Sequence, residues 1–204
     1  MTLIKSKNII LIFIIIGFYL NSCDFLSTRN PEPPDKTRTK NKPPVSSDIV
    51  ISNLSISFDE KNSDNYKACF ADSSLGDNLN FHFKPSPNAA ARYATIFKYW
   101  NISLERSYFS SLISTIPIDN KLSLEYSNNQ YETTSSDSVV YVTNYLITAE
   151  HNISTLPKLF SGTMRLTIKP RQSGLWAITE WYDYELDSDS LKNSWSVLKA
   201  GFSN

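Results

Sequence analysis

The spacing of apolar residues changes at Pro117, and this change restricts the fold more than any other feature of the sequence. Before Pro117, apolar residues recur every three or four positions, as they do in amphipathic helices. After it, they alternate with polar residues, as they do in strands with one buried face. A chain with its helices first and its strands afterwards is predicted to be an α+β protein, in which helices pack on an antiparallel sheet.

The helical half is predicted from caps and from apolar spacing. Ser46 can begin a helix, since a serine side chain accepts a hydrogen bond from a free amide of the first turn. The β-branched residues that follow leave a strand as the alternative for this segment. In chain order we expect a helix that carries Val50, Leu54 and Phe58, a short helix at 63–71, a strand at 78–83, a helix from Asn88 through Trp100, and helical spacing of Leu104, Tyr108 and Leu112 up to Pro117.

The second half is predicted to form an antiparallel meander followed by one helix. The longest strand, 139–150, has Tyr141 and Tyr145 on one face and Val142 on the other. In chain order we expect strand 122–127, turns near 128–130 and 135–137, strands 139–150, 160–169 and 175–185 with a hairpin turn at 170–174, and a last helix capped by Asp187-Ser188 that carries Leu191, Trp195 and Leu198.

The first residues have the features of an export signal. Lys5 and Lys7 precede an apolar run at 9–20, which is too short for a bilayer span of roughly 20 residues. The run ends in Leu20-Asn21-Ser22-Cys23, which resembles the lipobox of bacterial lipoproteins. The resemblance implies that the thiol of Cys23 takes a diacylglycerol, that the signal is cut before it, and that the new amine is acylated, for instance with palmitate.

The sequence therefore predicts three parts: a lipoprotein signal peptide at 1–22, the lipidated Cys23 with a proline-rich disordered tether at 23–45, and one α+β domain at 46–204. From residue 46 onward, 13 Lys and Arg stand against 17 Asp and Glu, a net charge near −4. This balance argues against a nucleic-acid partner, which requires a basic face. We expect a domain outside the cytoplasm that is held on a bacterial membrane by its lipid, with inner and outer membrane both open.

The order of elements resembles the nuclear-transport-factor-2-like (SnoaL-like) cone over residues 46–186. The resemblance is one of pattern. It lies in Trp176-Ala177-Ile178-Thr179-Glu180-Trp181-Tyr182-Asp183 at the end of the sheet, and in Asn65-Tyr66-Lys67-Ala68-Cys69-Phe70 before Phe81-His82-Phe83. It implies a strongly curved sheet that wraps around helices and leaves a pocket at its wide end. The fold hosts enzymes, binding domains and proteins without a known ligand, so it restricts function weakly.

The resemblance also implies where an acid–base group of an enzyme would lie, inside the cone. Glu180, Tyr182 and Asp183 are candidates because they lie on a central strand, although no residue is assigned as catalytic. Alternation places Trp176 on the face of Glu180 and Tyr182, and these three with His82 form the predicted pocket. A carboxyl group among aromatic rings would have a raised pKa, as a general base requires.

Two details of the last strand follow from the same alternation. Trp176 and Trp181 are five residues apart, an odd number, so we expect them on opposite faces, with Trp176 as the buried one. The alternative for Glu180 is a side chain that is either exposed or in a salt bridge, for instance with Arg165 across the hairpin.

Cysteine and histidine are scarce. With Cys23 lipidated, Cys69 has no partner for a disulfide, and its helical spacing beside Tyr66 predicts a buried thiol. The alternative, a nucleophile with His82 as its base, lacks a local signature. Neither His82 nor His151 has a second ligand at helical spacing, so we expect no metal site and no cofactor.

These features predict a membrane-anchored envelope lipoprotein that binds a small-molecule ligand or a protein partner. The alternatives are an enzyme that uses an acid–base residue in the cone pocket, and a structural component of the envelope. An open cavity at Glu180 and Tyr182 would favour ligand binding or catalysis. A cone filled by large side chains would favour a function of the surface.

Overall fold

The protein is described by a computed structural model at residues 39–76, 78–186 and 193–203, and the α+β prediction is confirmed. Helices cover one face, the inner face, of a curved five-stranded sheet. The predicted signal peptide, Cys23 and the tether up to residue 38 lie outside the described residues, and so do Asp187-Ser188 and Leu191. The lipid anchor therefore stays a prediction.

Three of the described helices begin where a polar side chain caps them, after Ser46, Asn62 and Asn101. Asn62 accepts from the amides of Asp64 and Asn65, and Asn101 starts a new helix in the same way after Tyr93 interrupts the one predicted from Asn88. The first segment is a helix, so its strand alternative was wrong. The helices of the described ranges are α1 Ser47–Asp59, α2 Ser63–Ala68, α3 Pro87–Arg92, α4 Ala94–Phe97, α5 Ile102–Ser114 and α6 Trp195–Gly201, with a 3-10 turn at Ser73–Leu75.

The strands form one sheet in the order β1-β5-β4-β3-β2. Strands β2 to β5 are the predicted antiparallel meander, whereas β1 pairs in parallel with β5. The sheet is therefore mixed, which alternation could not show because β1 has three residues and no neighbouring hairpin. The strands are β1 His82–Lys84, β2 Leu122–Thr134, β3 Val139–Ala149, β4 Leu159–Pro170 and β5 Trp176–Tyr184.

A bulge lies where the sequence predicted a turn at 128–130. Asn128 has a φ of +55°, a conformation that asparagine adopts more readily than most residues. The pairing of β2 with β3 shifts between Ser127 and Gln130, and the strand then continues to Thr134. The polar residues at 128–130 thus bend one strand instead of separating two.

A second bulge decides which side chains of β5 face the helices. Its register with β4 shifts by one residue at Thr179, which interrupts the alternation of faces. Trp176 and Ile178 before the bulge and Trp181 after it therefore lie on the same inner face. Trp181 is fully buried, whereas Trp176, the first residue of the strand, is half-buried. The prediction of opposite faces, with Trp176 as the buried tryptophan, was wrong.

Residues 39–45, the end of the predicted tether, are bound to the domain. The backbone of Lys42 donates to Asn53 Oδ1 at 3.0 Å and accepts from Asn53 Nδ2 at 2.6 Å. The carbonyl of Pro44 accepts from the amide of Trp176 at 2.7 Å. Asn53 is buried on α1, so the chain before the predicted boundary at residue 46 supplies its hydrogen-bond partners.

We expect a chain that begins at Ser46 to be less stable than one that begins at Thr39 by about 1–3 kcal/mol, because the buried amide of Asn53 loses both partners. Urea unfolding followed by circular dichroism measures the difference. Asn53→Ala in the longer chain is the matched variant and should account for most of the loss. Equal unfolding midpoints for the two chains would show that residues 39–45 contribute nothing to stability.

Aromatic side chains dominate the core between the helices and the inner face. Trp181 and Trp195 meet edge to face with 4.3 Å between ring centres, and Tyr66 stacks on Phe109 at 4.0 Å. Such ring pairs add stability beyond the area that they bury.

Along the stretches that the structure describes, no helix has both the length and the apolar character needed to cross a bilayer.

Candidate functional site

Three residues of the predicted pocket meet in a groove on the outer face of the sheet. His82 of β1 pairs in register with Glu180 of β5, and Lys84 pairs with Tyr182. The groove has a volume of about 290 Å³. Trp176, the fourth predicted residue, packs against the core and is not among the residues that line it.

The surroundings of Glu180 are those of a polar surface. Its Oε2 accepts a hydrogen bond from Thr167 Oγ1 at 3.1 Å. Arg165, the predicted partner of Glu180, binds Glu132 instead, with 2.8 Å between Nε and Oε2. The prediction that Glu180 lies on the same face as Trp176 was wrong, because the bulge at Thr179 turns Glu180 outward. Glu180 therefore lies outside the aromatic interior of the cone.

The acidic residue of β5 that faces the interior is Asp183. Its Oδ1 accepts from the hydroxyl of Tyr145 at 2.7 Å, and its Oδ2 accepts from the amide of Ser196 at 2.8 Å and from the Ser196 hydroxyl. Burial raises the pKa of the Asp183 carboxyl group, although these hydrogen bonds act in the opposite direction. Asp183 thus joins the sheet to α6.

A buried ion pair joins α5 to α6. Lys199 Nζ lies 2.7 Å from Glu105 Oε1 and 2.8 Å from Oε2, and both side chains are 0% exposed. Glu105 also accepts from the hydroxyl of Tyr66 at 2.5 Å and from Trp100 Nε1 at 2.6 Å. Each carboxylate oxygen therefore has two donors, which is the condition for burying a charge without an excessive desolvation penalty.

Trp195 links the buried carboxyl groups of Glu105 and Asp183 through tyrosine hydroxyls. Its indole Nε1 donates to the hydroxyl of Tyr108 at 2.8 Å, and that hydroxyl is hydrogen-bonded to Tyr66, the partner of Glu105. Its amide donates at 2.6 Å to the hydroxyl of Tyr145, the partner of Asp183. Trp195 and Lys199 are both fully buried, so α6 fills the interior of the cone with large side chains. This arrangement matches the second of the two sequence-based scenarios, a filled cone.

The charges of this interior follow from burial. Burial lowers the pKa of Lys199 to about 8, although the carboxylate of Glu105 acts to raise it. Burial raises the pKa values of Tyr66 and Tyr108 well above their ordinary value, so both phenols stay protonated. At neutral pH Lys199 therefore keeps its ammonium form, which donates to Glu105.

Our sequence analysis did not identify Glu105 and Lys199, although a signal was present. Glu105 shares a helix face with Tyr108 and Leu112, three and seven residues later, and Lys199 follows Trp195 by four residues. Lys and Glu are almost never fully buried unless they are paired. Opposite charges on the apolar faces of two helices therefore indicate a buried ion pair.

A larger groove lies between α1 and strands β2 and β3, and we call it the tyrosine groove, defined by Asp48, Tyr126, Tyr131 and Tyr141. Its volume is about 390 Å³. The hydroxyl of Tyr131 donates to Asp48 Oδ1 at 2.5 Å, and the rings of Tyr131 and Tyr141 lie 5.2 Å apart. Tyr131 is 51% exposed, so aromatic surface faces solvent here.

Cys69 is a core thiol, as predicted. It is 2% exposed, its Sγ donates to the carbonyl of Asn65 at 3.4 Å, and burial raises its pKa to about 12. Because the thiolate is the nucleophile, such a thiol is unreactive at neutral pH. Among the described residues, no three or more His, Cys, Asp and Glu side chains are grouped so as to hold a metal ion.

No family model matches the sequence, and no curated protein matches it. Several solved structures are similar. A candidate scytalone dehydratase from Novosphingobium aromaticivorans has 14% identity and a TM-score of 0.50 over 67% of this chain and 78% of its own. A nuclear-transport-factor-2-like protein from Cytophaga hutchinsonii has 14% identity and a TM-score of 0.48, covering 67% and 93% of the two chains. A nuclear transport factor 2 superfamily protein from Salmonella enterica has 11% identity and a TM-score of 0.47, covering 66% and 84%.

Similarity at this level of identity concerns the fold and not the chemistry. The curved mixed sheet, its helix-covered inner face and the order of the elements agree with the cone that the sequence resembles. The domain is an α+β cone, similar in fold to the candidate scytalone dehydratase, and α6 fills its interior.

Proposed function

We propose that this protein is a lipid-anchored lipoprotein of the bacterial cell envelope whose domain binds its ligand or partner on the surface. One observation carries the choice of the surface: α6 fills the cone with Trp195 and Lys199, and the carboxyl groups of Asp183 and Glu105 are bonded to protein atoms. The anchor is supported by the resemblance of Leu20-Asn21-Ser22-Cys23 to a lipobox.

The tyrosine groove is the binding surface that we propose. Tyrosine provides a large apolar ring with a polar end, a combination enriched at interfaces. Tyr131 exposes half of its surface, and the Asp48 carboxylate beside it can accept further hydrogen bonds besides that of Tyr131. A ligand that bears both hydroxyl or amide donors and flat apolar faces fits these groups.

An enzyme is the second candidate, and Asp183 is the observation in its favour. A buried carboxyl group with a raised pKa beside the hydroxyl of Tyr145 has the character of a general acid–base. The similar protein from Novosphingobium aromaticivorans is named as a candidate dehydratase. Surface binding ranks first because both oxygens of Asp183 are bonded to Tyr145 and Ser196.

Cys23→Ala is expected to abolish labelling by palmitate and to move the protein from the membrane fraction to the soluble fraction, because it removes the lipidated thiol. Cell fractionation after metabolic labelling measures both effects. Cys69→Ala is the matched control, since it removes the buried thiol and should leave label and location unchanged. Label that persists in the Cys23→Ala protein would remove the lipoprotein assignment.

A photo-crosslinking amino acid in place of Tyr131 is expected to yield a discrete adduct in cells, because a bound partner would cover this side chain. Tyr99 is the matched control, an exposed tyrosine outside the tyrosine groove that is 71% exposed. Gel shift and mass spectrometry of the two proteins make the comparison. Equal adducts at positions 131 and 99, or none at 131, would contradict the tyrosine groove as the binding surface.

A further inference from the structure

Lys199 Nζ lies in a cage of aromatic rings that a carboxylate completes. The nitrogen is 3.5 Å from the ring centre of Phe83 and 3.8 Å from that of Trp181. Glu105 Oε1 lies 2.7 Å away. Three further rings surround the nitrogen at 5.5–5.9 Å, those of Phe81, Trp100 and Tyr108. Cations are attracted to ring faces within about 6 Å, and the attraction is strongest where water is excluded.

The cage is built by parts of the chain other than α6. Phe83 belongs to β1, Trp181 to β5 and Glu105 to α5, whereas Lys199 comes from α6. The sheet and α5 therefore supply the aromatic rings and the carboxylate of the cage, and α6 supplies the ammonium group that the cage binds. Aromatic faces around a carboxylate are the groups that proteins use to bind ammonium ligands.

The geometry also defines the kind of ammonium group. Lys199 enters on an unbranched aliphatic chain, and its nitrogen donates to both oxygens of Glu105. A primary ammonium group has three N–H donors for such contacts, whereas a quaternary one has none. We propose that the interior of the cone is a binding site for a primary alkylammonium group, and that the chain's own Lys199 is its resident occupant.

The occupant can be removed and replaced. Lys199→Ala deletes three methylene groups and the ammonium group, which together have nearly the size and shape of n-propylammonium. In the full chain at pH 7, n-propylammonium is expected to raise the stability of Lys199→Ala with saturation, at a half-saturating concentration on the order of 1 mM. At ten times that concentration, the unfolding equilibrium constant should fall about tenfold.

Three controls separate recognition of the ammonium group from simple filling of space. 1-Propanol has a similar size without the charge, and tetramethylammonium has the charge without N–H donors, so neither should reproduce the effect. The protein with Lys199 in place should not respond, because its site is occupied. Lys158→Ala, which removes an exposed lysine, should not respond either.

Rescue by n-propylammonium that is lost in the double variant Lys199→Ala/Glu105→Gln would establish the site, because Glu105 supplies the acceptor oxygens. Rescue by n-propylammonium no greater than that by 1-propanol would overturn the proposal. If Lys199→Ala is unfolded in buffer, the same titration is followed by circular dichroism, and n-propylammonium should restore the folded signal. Failure to restore it at concentrations up to tens of millimolar would also overturn the proposal.

Discussion

Lys199→Met is expected to lower the free energy of unfolding by about 3–5 kcal/mol at pH 7. Methionine has nearly the length and volume of lysine, so the packing of α6 against the cone is retained. The carboxylate of Glu105, which is 0% exposed, would lose the opposite charge and the contacts that Lys199 makes to both of its oxygens. Urea unfolding followed by circular dichroism measures the loss.

An exposed ion pair formed by Arg106, the residue after Glu105 on α5, provides the control. Arg106 binds Asp64 at 2.7 Å with side chains that are 49% and 77% exposed, so Arg106→Ala should cost less than about 1 kcal/mol. The double variant Lys199→Met/Glu105→Gln should recover about 1–3 kcal/mol relative to the sum of the single variants, because it removes the uncompensated charge. A cost for Lys199→Met no larger than that for Arg106→Ala would show that the buried pair does not stabilise the domain.

The pH dependence gives an independent reading of the same pair. Burial lowers the pKa of Lys199 to about 8 in the folded protein, below the value of about 10.4 in an unfolded chain. Between these values the unfolded chain binds more protons, so the contribution of Lys199 to stability rises with pH and is lost as pH falls through 8. The stability of the protein relative to that of Lys199→Met should therefore rise with pH between 7 and 9.5. The buried tyrosines are common to both proteins, so their titration cancels in this difference.

The elements that local signals specify are those that the sequence predicted. Asn101 begins a helix because its side chain accepts from two free amides, and alternating residues of β3 such as Tyr141 and Tyr145 are buried as their spacing indicates. Both signals depend on neighbours within a few residues. The α+β class and the antiparallel meander follow from such signals alone.

The arrangement of the candidate site could not be predicted, because it depends on a bulge and on long-range contacts that local sequence patterns do not specify. The bulge at Thr179 adds one residue to β5 and turns Glu180 and Tyr182 to the outer face, so counting from Trp176 gives the wrong side. Alternation has a period of two residues, and a single extra residue therefore exchanges the faces of everything after it. The filling of the cone was equally inaccessible, because it results from contacts of α6 with parts of the chain that are distant in sequence.

Trp181→Ala is expected to lower the free energy of unfolding by about 3–5 kcal/mol. Its ring is fully buried, meets Trp195 edge to face at 4.3 Å, and contacts Phe83 at 5.5 Å between ring centres. It also forms part of the cage around Lys199, so its removal weakens packing and cation attraction together. Thermal and urea unfolding of the purified variant measure the loss.

Two variants of the same strand show whether the bulge decides this outcome. Trp176→Ala should cost about 1–2 kcal/mol, because Trp176 is half-buried at the end of β5. Trp181→Phe should cost less than Trp181→Ala, because it keeps an aromatic face towards Lys199 and because the Trp181 N–H has no hydrogen-bond partner among the described residues. A larger loss for Trp176→Ala than for Trp181→Ala would support simple alternation along β5, which places Glu180 inside the cone. The opposite order supports the bulge, which places Glu180 on the surface and away from any reaction inside the cone.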